Sequence, residues 1–159
     1  MAEPNPPGAE LPDQHRLPDL EGTHTWDHLC RAYVRDSALL GMMQYFARVA
    51  EIEGLPEVGL VLRELAENQS VIAGGHLDLL KRASDPLSRH PIGETAWNLQ
   101  ALLRTVTADL TDTFPVASRS AHAEGFADIA SWFETLARVR AAQRARLDEA
   151  VARSEEGSP

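Results

Sequence analysis

Residues 36–69, DSALLGMMQYFARVAEIEGLPEVGLVLRELAENQ, decide the fold. They read as two amphipathic helices broken at Glu53-Gly54-Leu55-Pro56. The first carries Leu29, Tyr33, Leu40, Met43, Ala47 and Ala50 on one stripe, the second Val58, Leu62, Leu65, Ile72 and Leu79. Spacings of three and four place each set on a single helix face. Asp36 falls on the first stripe and Gln69 on the second. A carboxylate and an amide on inward faces need partners. Burying an unpaired amide costs roughly 2–7 kcal/mol, and an unpaired charge costs more.

Working outward, the first helix starts near Thr25, with Thr23 or Thr25 as N-cap. The second begins at Pro56, a favourable first-turn proline, and runs to Lys81 or Arg82. Residues 83–93, ASDPLSRHPIG, form the longest break and cross between two hairpins. A third helix begins at Glu94-Thr95 and carries Leu99, Leu102, Val106 and Asp109, with Pro115 inside it or bending it. A fourth follows Gly125 with Phe126, Ile129, Phe133, Leu136, Leu147 and Ala150, interrupted by Arg140 and Gln143. No strand-like alternation occurs, so the chain is all-α, an antiparallel four-helix bundle of two hairpins and a crossover loop. The bundle spans residues 23–153, with disordered tails at 1–22 and 154–159, which lack periodicity.

A weak repeat relates the hairpins. EGLPEVGLVLRELA from Glu53 matches EGFADIASWFETLA from Glu124, so Gln69 corresponds to Arg140 and Ile72 to Gln143. A pseudo-two-fold axis then brings Asp36, Gln69, Asp109, Arg140 and Gln143 into one central polar layer.

With 159 residues and 43% hydrophobic content, the chain makes one domain with a sizeable core. A formal net charge of −9 argues against nucleic acid or an anionic membrane as partner. Only Lys81 is lysine among 15 basic residues. Cys30 is the single cysteine, which excludes an internal disulfide and a thiolate metal cluster. No bilayer-spanning run and no signal peptide are visible, so the expected location is cytoplasmic. His24 and His28 stand one turn apart and His76 lies on the inward stripe of the second helix; antiparallel pairing brings the start of the first helix near the end of the second, so a three-histidine metal site is geometrically conceivable. The plainer reading makes His76 half-buried and the other two surface residues. Trp97 and Trp132 fall beside the inward stripes, where a partner subunit could cover them.

Four segments resemble the rubrerythrin branch of the ferritin-like superfamily: DSALLGMMQYFARVAEIEG from Asp36, ELAENQ from Glu64, GETAWNL from Gly93 and FPVASRSAHAEGFADIA from Phe114. The resemblance covers roughly residues 24–153. It implies a ferritin-like bundle, a homodimer and a di-iron site. It also implies where the ligands stand: Glu at Asp36, Glu-x-x-His at Gln69 and Ile72, Glu-x-x-Glu at Val106 and Asp109, Glu-x-x-His at Arg140 and Gln143. Here two acids remain in shortened form and both histidines are replaced. The single cysteine also rules out the Cys-rich iron module usual in such proteins.

Iron wants anionic oxygen and neutral nitrogen, and a permanently protonated guanidinium repels it. Arg140 can instead hold Asp36, Asp109 or both, with Gln69 and Gln143 completing the layer. The expectation is a metal-free, non-catalytic scaffold for binding or assembly, with no cofactor and with an unidentified protein as further partner. One alternative is a di-iron peroxidase or oxidase that recruits Asp36, Asp109 and the off-stripe Glu64 or Glu67. The other is a small-anion binder around Arg140.

Overall fold

The computed structural model describes residues 19–156. The assignments at 1–18 and 157–159 lie outside them. Four long helical segments form two antiparallel hairpins: α1 (His24–Ile52) with α2 (Pro56–Leu80), and a segment of α3 (Thr95–Ala108), a π turn (Asp109–Thr113) and α4 (Phe114–Ala123) with α5 (Ala127–Glu156). This is the all-α ferritin-like arrangement read from the stripes. Among the described residues there is no strand, and no helix is long and apolar enough to cross a membrane.

Each element begins and ends for local reasons. Thr23 caps α1: its hydroxyl accepts from the Trp26 N–H at 3.1 Å and donates to the Leu20 carbonyl at 2.8 Å. Leu20 packs on the core, so the chain is already docked before position 23. The two hairpin turns share one construction. After α1, Gly54 sits at φ 80°, its N–H bonds Glu51 O at 3.1 Å and Leu55 N–H bonds Ala50 O at 2.8 Å. After α4, Gly125 sits at φ 87°, its N–H bonds His122 O at 3.2 Å and Phe126 N–H bonds Ala121 O at 2.8 Å. Both are glycine C-caps in which a left-handed residue returns the last carbonyls to the chain. The repeated Glu-Gly of the sequence encodes the two turns.

Pro115 explains the π turn. It has no N–H for the carbonyl four residues back, and its ring would press on that carbonyl. The helix widens just before it, and Phe114 N–H reaches Asp109 O. At the other end of the chain, α5 continues to Glu156. Positions 154–156, read from sequence as tail, are therefore helical; Ser154 even donates to Val151 O at 2.7 Å.

The helices of each hairpin approach closely through small residues. Ala47, Ala50, Gly59, Ala66 and Ala73 are buried between α1 and α2, and Ala101, Val106, Ser118, Ala121 and Ala130 in the second hairpin. A Cβ on Gly59 would come within 3.1 Å of Ala47 O. Between hairpins the situation differs. α1 packs on α2, and α5 on α3 and α4, but among the described residues no helix of one hairpin lies along a helix of the other. They meet only at their base, where Ala101 and Ile92 join Trp26, Cys30 and Leu80. Leu80 is the one large side chain below 2% exposure among the described residues. The α2 stripe is consequently split: Gln69 is buried and Leu62 half-buried, whereas Val58, Leu65, Ile72 and Leu79 are open.

The crossover loop is a built structure. The Asp85 carboxylate accepts from Leu87 N–H at 2.8 Å, Ser88 N–H at 2.8 Å, His90 N–H at 3.0 Å and the Ser88 hydroxyl. Burial alone would raise its pKa; these four donors outweigh burial and hold it below the usual carboxylate range. Arg89, at φ 58°, stacks its guanidinium 4.1 Å from the Trp26 ring centroid. Ser84 donates to Glu21 at 2.8 Å.

Candidate functional site

The five residues assigned to a central layer occupy two places, one in the middle of each hairpin. On the first, Asp36 and Gln69 lie where α1 and α2 face each other. Beside them stands His76, read from the sequence as a half-buried residue of the second helix but not as their partner; its Nε2 stands 2.7 Å from Asp36 Oδ2. That hydrogen bond is the main reason the Asp36 carboxyl lies below its ordinary range; burial works in the other direction. Gln69 is 7% exposed, and its Nε2 is buried without a hydrogen-bond partner of normal geometry. The Asp36–His76 pair had a legible signal. The antiparallel register that sets Ala47 against Gly59 and Cys30 beside Leu80 also sets Asp36 against His76.

On the second hairpin, Arg140 of α5 donates from Nε to Asp109 Oδ2 at 2.9 Å and from Nη1 to Gln143 Oε1 at 2.7 Å. Its guanidinium carbon lies 5.6 Å from the Phe114 ring centroid, and Phe114 stacks on Phe133 at 6.2 Å. Asp109 opens the π turn, so the widening needed by Pro115 also positions this carboxylate. Arg140 and Asp109 are half-buried and Gln143 is exposed. Asp36 is not among Arg140's partners within the chain.

His24 and His28 are exposed near the start of α1. Asp36, the partner of His76, lies about 12–18 Å farther along the same helix at 1.5 Å per residue. The three histidines therefore do not converge. No group of three His, Cys, Asp or Glu side chains able to hold a metal ion occurs among the described residues. Glu64 and Glu67 are exposed. Trp97 and Trp132 are also exposed, at 45% and 59%.

Chemically, the first hairpin offers a carboxylate-oriented imidazole and the second a neutralised carboxylate with a planar donor fork. Neither presents a nucleophile to a base: among the described residues the His76 ring hydrogen-bonds Asp36 and no hydroxyl or thiol.

Two curated proteins bear on what this architecture is. The chain is 33% identical over 147 residues to a rubrerythrin of Porphyromonas gingivalis, covering 87% of this chain and 72% of that one. This chain belongs to the rubrerythrin family. Rubrerythrin-1 of Clostridium acetobutylicum is 25% identical over 148 residues, covering 88% of this chain and 76% of that protein. No family model matches the chain. As a rubrerythrin-family member it carries at mid-hairpin an Asp–His pair and an Arg–Asp–Gln cluster, separated within one chain.

Proposed function

We propose that this protein is a metal-free member of the rubrerythrin family. It keeps the helical scaffold for binding or assembly and works in the cytoplasm. Asp36, Gln69, Asp109, Arg140 and Gln143 make its polar layer in place of a di-iron site. The observation that carries this reading is the 2.9 Å hydrogen bond from Arg140 Nε to Asp109. It spends a surviving acid on a permanent cation. An iron pair requires anionic oxygen and imidazole donors facing an open centre. The donor set here, with a guanidinium and two amides at those positions, does not fit one. The di-iron peroxidase or oxidase alternative would need Glu64 or Glu67, and both are exposed.

Elemental analysis tests the reading directly. Protein expressed with iron, manganese or zinc in the medium should carry each at well below one atom per chain. About two irons per chain would overturn the reading and make peroxide reduction the next assay.

A groove of about 490 Å³ gives the small-anion reading its one specific support. It is lined by Leu102, Val106, Arg140, Gln143, Arg146 and Leu147, so two guanidinium groups border an apolar floor. Calorimetric titration with inorganic phosphate and with a small carboxylate checks it. Loss of any binding heat in Arg146→Ala would assign that heat to the groove.

A further inference from the structure

A second basic groove lies on the first hairpin, away from the polar layer. It holds about 670 Å³ and runs along α1 beside the crossover loop. At about 100° per residue, Arg31, Arg35 and Met42 fall within about 40° of one another around the α1 axis, and Asp36 falls about 100° or more from each. The groove therefore follows an open face of α1, not the face that carries Asp36 toward α2.

Its two ends differ. At one stand three guanidinium groups. Arg31 and Arg35 come from successive turns of α1, and Arg89 comes from the crossover loop, stacked on the Trp26 ring. At the other, Leu39 and Met42 continue an apolar wall begun by Val34, all three 36–50% exposed. No carboxylate lines the groove. Asp36, the acid next to Arg35 in sequence, is hydrogen-bonded to His76 instead. In a chain of formal net charge −9, three cations gathered without a lining acid make a local positive field that an anion would relieve.

We propose that this groove binds a free aliphatic carboxylate, its head on the guanidinium groups and its chain along Val34, Leu39 and Met42. The guanidinium is a planar fork that matches a carboxylate with two parallel hydrogen bonds. Arg89 is set in place before any ligand arrives. Its backbone is left-handed at φ 58°, its N–H bonds Asp85 O at 3.2 Å, and the loop around it is tied to the Asp85 carboxylate. A cation fixed in this way loses little freedom on binding. The apolar wall sets the chain length. Met42 stands seven residues beyond Arg35, about 10 Å along the axis, so a chain of medium length is covered and a longer one protrudes. A mostly apolar groove of this volume, with its polar groups gathered at one place, suits one small molecule. The site shares no residue with the groove at Arg140, and the inference holds whether or not metal binds.

Calorimetric titration of the full chain with hexanoate, octanoate and decanoate tests it. Decanoate should bind at one per chain, and the dissociation constant should fall about two- to fourfold for each added methylene. Decylamine should not bind. The pair Arg31→Gln and Arg35→Gln should weaken decanoate by about tenfold or more. Met42→Glu, at the other end, should weaken it with the arginines intact, and Arg146→Ala should leave it unchanged. All four positions are exposed, so the variants keep the fold. The proposal is overturned by absence of binding, by equal binding of decylamine, by an affinity indifferent to chain length or to the arginine pair, or by binding lost in Arg146→Ala. A label separates the other occupants. With Met42→Cys in a Cys30→Ala background, decanoate should slow modification by a maleimide. A cysteine protected without decanoate means that a second copy covers the groove. Protection by phosphatidylglycerol vesicles and not by decanoate means that a membrane surface does. Either result overturns the proposal.

Discussion

Asp36 and Arg140 each sit on a helix face that an ordinary core would fill with leucine. Asp36 is held there by His76 at 2.7 Å, and Arg140 by Asp109 at 2.9 Å and Gln143 at 2.7 Å. The consequence is measurable for Asp36. A carboxyl held below its ordinary range stabilises the fold fully above that range, near pH 4, and loses the contribution as pH falls through the lowered value. In His76→Ala the Asp36 carboxyl should titrate higher, closer to an ordinary aspartate, as followed by ¹³C NMR of the side chain. The stability difference from wild type should be present at neutral pH and fade in acid. A stability gap that persists unchanged below the range of both titrations would mean that His76 acts through packing alone. Among the fixed side chains His76 is also instructive: the sequence singles it out as half-buried, and what goes unread is its pairing with Asp36. Its place was implied by register, yet a reading by stripes takes one helix at a time and never asks which residues stand opposite.

At the scale of the element, the helices and both turns were legible because their causes are local. Stripes at three and four define the helices, and Glu53-Gly54 and Glu124-Gly125 supply the left-handed caps. The crossover loop was legible only as a break. Its shape depends on one aspartate accepting four hydrogen bonds from residues two to five positions ahead, and periodicity carries no trace of that. Asp85→Ala should therefore lower unfolding stability by about 2 kcal/mol, the scale of leaving several buried donors unpaired. Denaturant melts should show a lower midpoint with an unchanged slope. An unchanged midpoint would mean that the prolines at 86 and 91 hold the loop without Asp85.

For the whole molecule, a stripe states that a face will be buried and is silent about which chain buries it. That is why the two-hairpin architecture could be read in advance and the separation of the hairpins could not. The candidate layer divides for the same reason: Asp36 and Gln69 travel with one hairpin, Asp109, Arg140 and Gln143 with the other. If stability is shared between copies, the thermal midpoint of the wild-type protein should rise with protein concentration. Leu65→Glu, which places a charge on the open α2 stripe, should lower that midpoint and remove its concentration dependence. A midpoint independent of concentration in both proteins would mean that the open faces do not contribute to folding. The π turn sets a different property, the tolerance of the chain to changes in its length. Val106 and Ser118 are both buried, although twelve residues of regular helix at about 100° each would leave them about 120° apart around the axis. Eleven residues would leave them within about 20° of alignment, and the widened turn at Asp109–Thr113 absorbs the extra one. Removing a single residue from that turn would keep both faces in phase, whereas the same deletion a few positions away would rotate half of the hairpin out of its packing. The second hairpin thus contains one short window in which its length can vary without refolding the rest.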